Sequence, residues 1–81
     1  MNIYVGNLDF KVNEQELEQV FAEYGNVESA RVITDKFSGR SKGFGFVVME
    51  NDDEAKAAIA ALDGQDINGR PARVNEARAR D

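Results

Sequence analysis

Lys42-Gly43-Phe44-Gly45-Phe46-Val47-Val48-Met49 is the stretch whose reading decides the fold of this chain. Aromatic and β-branched residues crowd it, and those are the residues that suit a pleated, half-buried strand. Successive side chains of a strand point to opposite faces, so Phe44, Phe46 and Val48 share one face and Gly45, Val47 and Met49 the other. Periodicity alone leaves open which face is the core. A buried Phe stabilises by about 1.5–3 kcal/mol, so two adjacent ones read as core unless something else fills it.

The rest of the chain supplies that filling. Asn2-Ile3-Tyr4-Val5-Gly6 is a second strand signal, with the aliphatic pair Ile3 and Val5 on one face and Tyr4 on the other. If Ile3 and Val5 face the core, a neighbouring strand turns Val47 and Met49 the same way and its phenylalanines outward with Tyr4. A helix follows: Asn13 as N-cap, Glu16 as its capping-box partner, Val12 and Leu17 in the staple positions. Leu17, Val20, Phe21 and Tyr24 then form one apolar stripe, and Gly25 reads as the left-handed closing residue. Val27 to Thr34 is a strand with Ala30 and Val32 on one side and Arg31 and Ile33 on the other. Asp35 to Ser41 is a polar loop, and the strand quoted above runs Lys42 to Glu50. A second helix, Asp52 to Leu62, carries the stripe Ala55, Ala58, Ile59, Leu62 and an acidic first turn suited to the helix dipole. Asp63-Gly64 closes it. Asn68-Gly69, between Ile67 and Val74, is a two-residue hairpin signal, and the last strand ends near Asn75. The order β-α-β-β-α-β predicts an α+β ferredoxin-like sandwich: a four-stranded antiparallel sheet with two helices on one face and the other face open. The two helix stripes fill the core without Phe44 and Phe46. One domain is expected over residues 1–76, with a short mobile tail over 77–81.

Composition narrows the function. The chain has 81 residues, no Cys and no His, which removes disulfides, thiolate nucleophiles, imidazole bases and the common zinc sites. No calcium-loop spacing is present, so no metal and no cofactor is expected. No apolar run reaches the ~18 residues of a membrane span, and no signal peptide precedes the first strand, so a cytoplasmic protein with no membrane role is expected. The net charge of −5 argues at first against nucleic acid, since phosphate binding runs on Lys and Arg. The charge is polarised, however. Residues 12–28 and 50–66 are each net −5, leaving nine basic residues against Asp9, Asp35, Glu76 and Asp81 elsewhere.

Two segments resemble the paired signatures of the RNA recognition motif family. Ile3-Tyr4-Val5-Gly6-Asn7-Leu8 is similar to its hexamer, and Lys42 through Met49 to its octamer: basic residue, Gly, aromatic, Gly, aromatic, Val in register. The resemblance covers Asn2 to about Asn75, including Asn68-Gly69-Arg70. Met49 departs from it where an aromatic is usual, and Ala72 is smaller than the usual apolar residue, which predicts a looser core edge. The resemblance implies that Tyr4, Phe44 and Phe46 form a stacking platform for single-stranded RNA, Tyr4 and Phe46 each stacking a base and Phe44 packing on the sugars, with Lys42 at a phosphate. The physics agrees: every base has a π-face, so stacking tolerates sequence while nearby cations neutralise the backbone.

Further candidates surround this trio. Arg31 is expected on the open face from the second strand, and Arg73 and Asn75 from the fourth. Lys36 and Arg40 lie in the loop before the octamer, where closure over a ligand and plain solvation are equal readings. Arg78 and Arg80 extend the basic surface. Asn7 resembles a position near bound nucleotides, though a turn-stabilising role explains it as well. Lys11 reads as plain surface. Single-stranded DNA is a second possible ligand. Two other function classes stand beside RNA binding: a protein-interaction module using the same sheet or the acidic helical face, and an enzyme such as an acyl-phosphate hydrolase. The last needs a phosphate cradle that Leu8-Asp9-Phe10-Lys11 does not offer.

Overall fold

The computed structural model describes residues 1–77. Its elements are β1 (Asn2–Gly6), α1 (Glu14–Ala22), β2 (Ser29–Thr34), β3 (Ser41–Val48), α2 (Asp52–Leu62), β4 (Asp66–Ile67), β5 (Arg70–Pro71) and β6 (Arg73–Glu76). β1, β2, β3 and β6 form one antiparallel sheet in the order β2-β3-β1-β6, the arrangement expected of a ferredoxin-like sandwich. The two central strands are therefore the two that carry the sequence signatures. Both helices begin on asparagine caps: Asn13 accepts from the Glu16 N–H at 2.8 Å and Asn51 from the Glu54 N–H at 3.0 Å, each satisfying an otherwise orphaned donor of the first turn.

Ile3, Val5, Val47, Met49 and Val74 point from the sheet onto Leu17, Phe21, Ala55, Ala58 and Leu62, all of them buried. Leu8, Val12, Ile67 and Ala72 close the margins of this core. The looser edge expected at Ala72 does not arise. Its side chain is 1% exposed, its N–H donates to the Gln65 carbonyl and its own carbonyl accepts from Gly64, each at 2.8 Å. A small residue suits a position where the chain leaving α2 passes this close.

Three local readings are corrected. Gly25 is absent from the left-handed positions; Glu23 caps α1 in right-handed helical geometry. The glycine is needed instead for space, because a Cβ there would run into the Glu54 side chain, whose carboxylate accepts from the Asn26 N–H at 3.2 Å. Asn68 and Gly69 do form a turn with positive φ at both positions (56° and 92°), as a type I′ hairpin requires. That turn joins β4 to β5, a separate two-stranded ribbon, rather than leading into the main sheet; β6 starts only after Ala72. Finally, β3 is not a plain strand from Lys42. Val32 pairs with Gly45 but Thr34 with Ser41, so two residues of β2 oppose four of β3, and Gly43 takes φ +84° in this bulge. Regular alternation starts at Phe44. Of the tail expected over 77–81, Ala77 donates its N–H to the Asn2 carbonyl at 2.8 Å; the rest, including Arg78 and Arg80, falls on 78–81, outside the described residues.

Candidate nucleic-acid interface

The face of the sheet opposite the helices carries one row of side chains running across all four strands. Phe46 pairs with Arg31 of β2 on one side and with Tyr4 of β1 on the other, and Tyr4 pairs in turn with Asn75 of β6. Paired residues in antiparallel strands project on the same side, so a cation, two aromatic rings and an amide lie in line. Phe44 sits beside them. The three ring centroids form a near-equilateral triangle: Tyr4 to Phe44 is 6.1 Å, Tyr4 to Phe46 5.9 Å and Phe44 to Phe46 6.1 Å. Tyr4 and Phe44 lie 28° from parallel, whereas Phe46 stands edge-on to both. Phe46 is 37% exposed, and Tyr4 and Phe44 are half-buried.

Two glycines shape this surface. A Cβ on Gly6 would lie 2.5 Å from the Tyr4 hydroxyl oxygen and 2.7 Å from Cε2, so the tyrosine ring lies along the strand over Gly6. Any larger residue there would lift it. A Cβ on Gly45 would collide with the Arg31 carbonyl, so this glycine permits the close approach of β2 to β3 beneath the row. Both belong to the sequence signatures, and both act through space rather than through contact with a ligand.

The sequence-predicted cations reach this face to different degrees. Arg31, Lys42 and Arg73 are exposed, Arg73 opposite Gly6 at the β6 edge. Lys42 lines a groove of about 270 Å³ with Tyr4, Phe44 and Arg70. Asn7 also lines it, but its amide is already engaged: Nδ2 donates to the Pro71 carbonyl at 2.7 Å and Oδ1 accepts from Arg70 at 2.9 Å. With φ at 56°, Asn7 ties the end of β1 to the β4–β5 ribbon, which favours the turn-stabilising reading. Arg70 and the two-thirds exposed Phe10, which lines the same groove, were not among the sequence candidates. A lone aromatic in the polar run Asp9-Phe10-Lys11 was the available signal for the second. The acidic blocks are α1, α2 and their flanks, on the other side of the sheet. Glu14 additionally covers the outer edge of β2, accepting from the Val32 N–H at 3.1 Å.

The loop carrying Lys36 and Arg40 closes on itself. The Asp35 N–H donates to the Arg40 carbonyl at 2.7 Å, and the Asp35 carboxylate accepts from the Phe37 N–H at 2.7 Å and the Ser38 N–H at 3.1 Å. Those two bonds, helped by the charge of Lys42 and opposed by partial desolvation, hold the carboxyl below its usual pKa. A group depressed in the folded state adds stability that is full above its unfolded value, about 3.9, and lost as pH falls through the lower folded value. In an acid NMR titration the Phe37 and Ser38 amides should therefore move together with a midpoint below about 3.9. A midpoint at or above that value would mean the loop is not closed by Asp35.

The profile of the RNA recognition motif matches residues 3–73, nearly all of the described chain. The chain belongs to the RNA recognition motif family. It is 55% identical over 78 residues to the chloroplastic 28 kDa ribonucleoprotein of Spinacia oleracea, covering 96% of this chain and 34% of that one. It is 52% identical over 81 residues to the putative RNA-binding protein RbpA of Synechocystis, covering 100% of this chain and 80% of that one. The crystal structure of RNA Binding Protein PG1 superposes with a TM-score of 0.95 at 52% identity, covering 100% of this chain and 98% of that one. The chain thus spans about a third of the chloroplast relative and most of the cyanobacterial one. Among the described residues no helix is long and apolar enough to cross a membrane.

Proposed function

We propose that this RNA recognition motif binds single-stranded RNA on the open face of its sheet and carries out no chemistry of its own. The observation that carries the reading is the row Arg31–Phe46–Tyr4–Asn75 with Phe44 beside it, an aromatic surface left uncovered by a core that is complete without it. Tyr4 and Phe46 each stack one base, Phe44 packs on the sugars between them, and Lys42, Arg31 and Arg73 meet the backbone. Asn75 offers an amide to a base edge. Arg78, which follows the last strand in sequence, supplies a further cation for the backbone. Duplex RNA hides its base faces and binds poorly; single-stranded DNA presents the same kind of base faces and is a second ligand. The names of the spinach and Synechocystis relatives support the reading and place such domains in chloroplasts and cyanobacteria. A stromal or cytoplasmic setting fits a chain without cysteine.

Two stacked bases at about 1–3 kcal/mol each and a few phosphate contacts give a dissociation constant of about 1 μM to tens of μM, or about −6 to −8 kcal/mol. The test is an amide NMR titration with a degenerate-sequence RNA hexamer. Shifts are expected over residues 3–7, 31–33, 42–48 and 72–76; shifts confined to the helices would overturn the reading in favour of a protein-interaction role. Two to four neutralised phosphates predict that log K falls with log salt at a slope of about −1.4 to −2.8. A slope near zero would remove the cations from the site.

A further inference from the structure

Phe10 stands at the tip of the turn between β1 and α1, and its position is held from both sides. Leu8 and Val12, two residues away in each direction, are 1% and 2% exposed. The Leu8 N–H donates to the Gly43 carbonyl at 2.8 Å, the Val12 N–H to the Asp9 carbonyl at 3.0 Å, and the Lys11 N–H to the Asp9 carboxylate at 2.8 Å. Phe10 itself is 66% exposed. Its ring edge lies over the bulge glycine, Cε1 being 3.7 Å from where a Cβ of Gly43 would stand, next in sequence to Phe44. A single exposed apolar side chain is ordinary at a protein surface; what singles out Phe10 is that an ordered turn holds its ring beside the bulge next to Phe44.

Phe10 also connects two grooves. It lines the one that holds Tyr4, Phe44, Lys42 and Arg70, and a second, mostly apolar groove of about 450 Å³ shared with Lys11, Gly39, Arg40 and Ser41. That volume is within the ~300–1,000 Å³ of small-molecule sites. We infer that Phe10 is a further base-stacking position, taking a nucleobase of the RNA strand as it leaves the platform past Phe44 towards the β2–β3 loop, with Arg40 and Lys11 meeting its phosphate. The inference rests on the reading of the sheet as the RNA platform and extends it by one subsite. Continuity of the surface from Phe44 to Phe10 and charge complementarity select RNA as the occupant. Asp9, Glu14 and Asp35 are the acids nearest in sequence, and each has its carboxylate accepting from backbone N–H groups.

The experiment compares a degenerate RNA trimer with a hexamer on the full chain, as wild type, Phe10→Ala and Phe10→Trp. Phe10→Ala is expected to weaken hexamer binding about five- to tenfold and to leave trimer binding within about twofold, since the trimer is spent on the platform. The chain contains no Trp, so Phe10→Trp places a single fluorophore at the subsite. It should bind the hexamer at least as tightly as wild type and be quenched by the hexamer far more than by the trimer. Equal hexamer affinity for Phe10→Ala and wild type, or an unquenched Phe10→Trp, overturns the subsite while leaving the platform intact if Phe44→Ala/Phe46→Ala still weakens binding of both RNAs. Equal losses for trimer and hexamer also overturn it, since the effect is then on the platform. No binding of either RNA by wild type overturns both readings.

Discussion

Phe44→Ala/Phe46→Ala is expected to remain folded and to bind a single-stranded RNA hexamer far more weakly. The double variant removes one base stack, at Phe46, worth about 1–3 kcal/mol, together with the sugar packing of Phe44, so the dissociation constant rises about fivefold to more than 100-fold. Starting from micromolar to tens-of-micromolar binding, that places the variant between tens of micromolar and millimolar. The fold is expected to tolerate the change because neither ring is a member of the buried cluster, which Phe21, Leu17, Met49 and the aliphatic residues of β1 and β3 complete. The two rings do contact each other and Tyr4, and aromatic pairs are worth about 0.5–1.5 kcal/mol, so a modest fall in melting temperature accompanies the loss of binding. Amide spectra of free and RNA-titrated variant separate the two effects. A folded double variant that still shifts over residues 42–48 with wild-type affinity would show that bases do not stack there.

Phe21→Ala is expected to do the opposite. Phe21 is fully buried beneath the sheet on the inner face of α1, and truncating a buried Phe costs about 3–5 kcal/mol through lost transfer energy and the cavity left behind. A chain of 81 residues has a total stability of about 4–12 kcal/mol at the usual 0.05–0.15 kcal/mol per residue. One side chain therefore carries a large share of it. Urea denaturation should show a midpoint displaced far toward zero, with RNA affinity unchanged in whatever fraction remains folded. A loss below about 1 kcal/mol would mean that the core is filled by other residues than those argued above. Side by side, the two variants distinguish phenylalanines that hold the fold from phenylalanines that the fold holds out.

The assignment of those roles was legible early because it depends on period and count. Ile3 and Val5 bracket Tyr4, two helix stripes supply enough apolar volume for a core, and strand alternation then turns Phe44 and Phe46 outward with Tyr4. The Asn13 cap and the Asn68-Gly69 turn were equally readable, since each is satisfied within four residues of chain. Gly25 shows where such reading fails. A glycine after a helix stripe usually marks a left-handed cap, but this one makes room for Glu54, which sits 29 positions further along the chain. The Asn68-Gly69 turn was recognised and its destination was not, because turn chemistry specifies a hairpin without specifying which sheet receives the second strand.

The candidate site divides along the same line. Alternation, together with the resemblance to the RNA recognition motif, placed the aromatic trio, Arg31, Arg73 and Asn75 on one face, because side-chain direction in a strand is a local property of the backbone. The sequence by itself thus determined the α+β order, the core face and the chemistry of the open face. Only the tertiary structure decided what lies beside what: that Arg31, Phe46, Tyr4 and Asn75 form a single row, that the Asn7 amide is taken by Arg70 and Pro71 from 63 and 64 residues away, and that Phe10 adjoins the platform. The physical reason is that strand register and loop packing are settled by long-range pairing and shared burial, which no short window of residues contains.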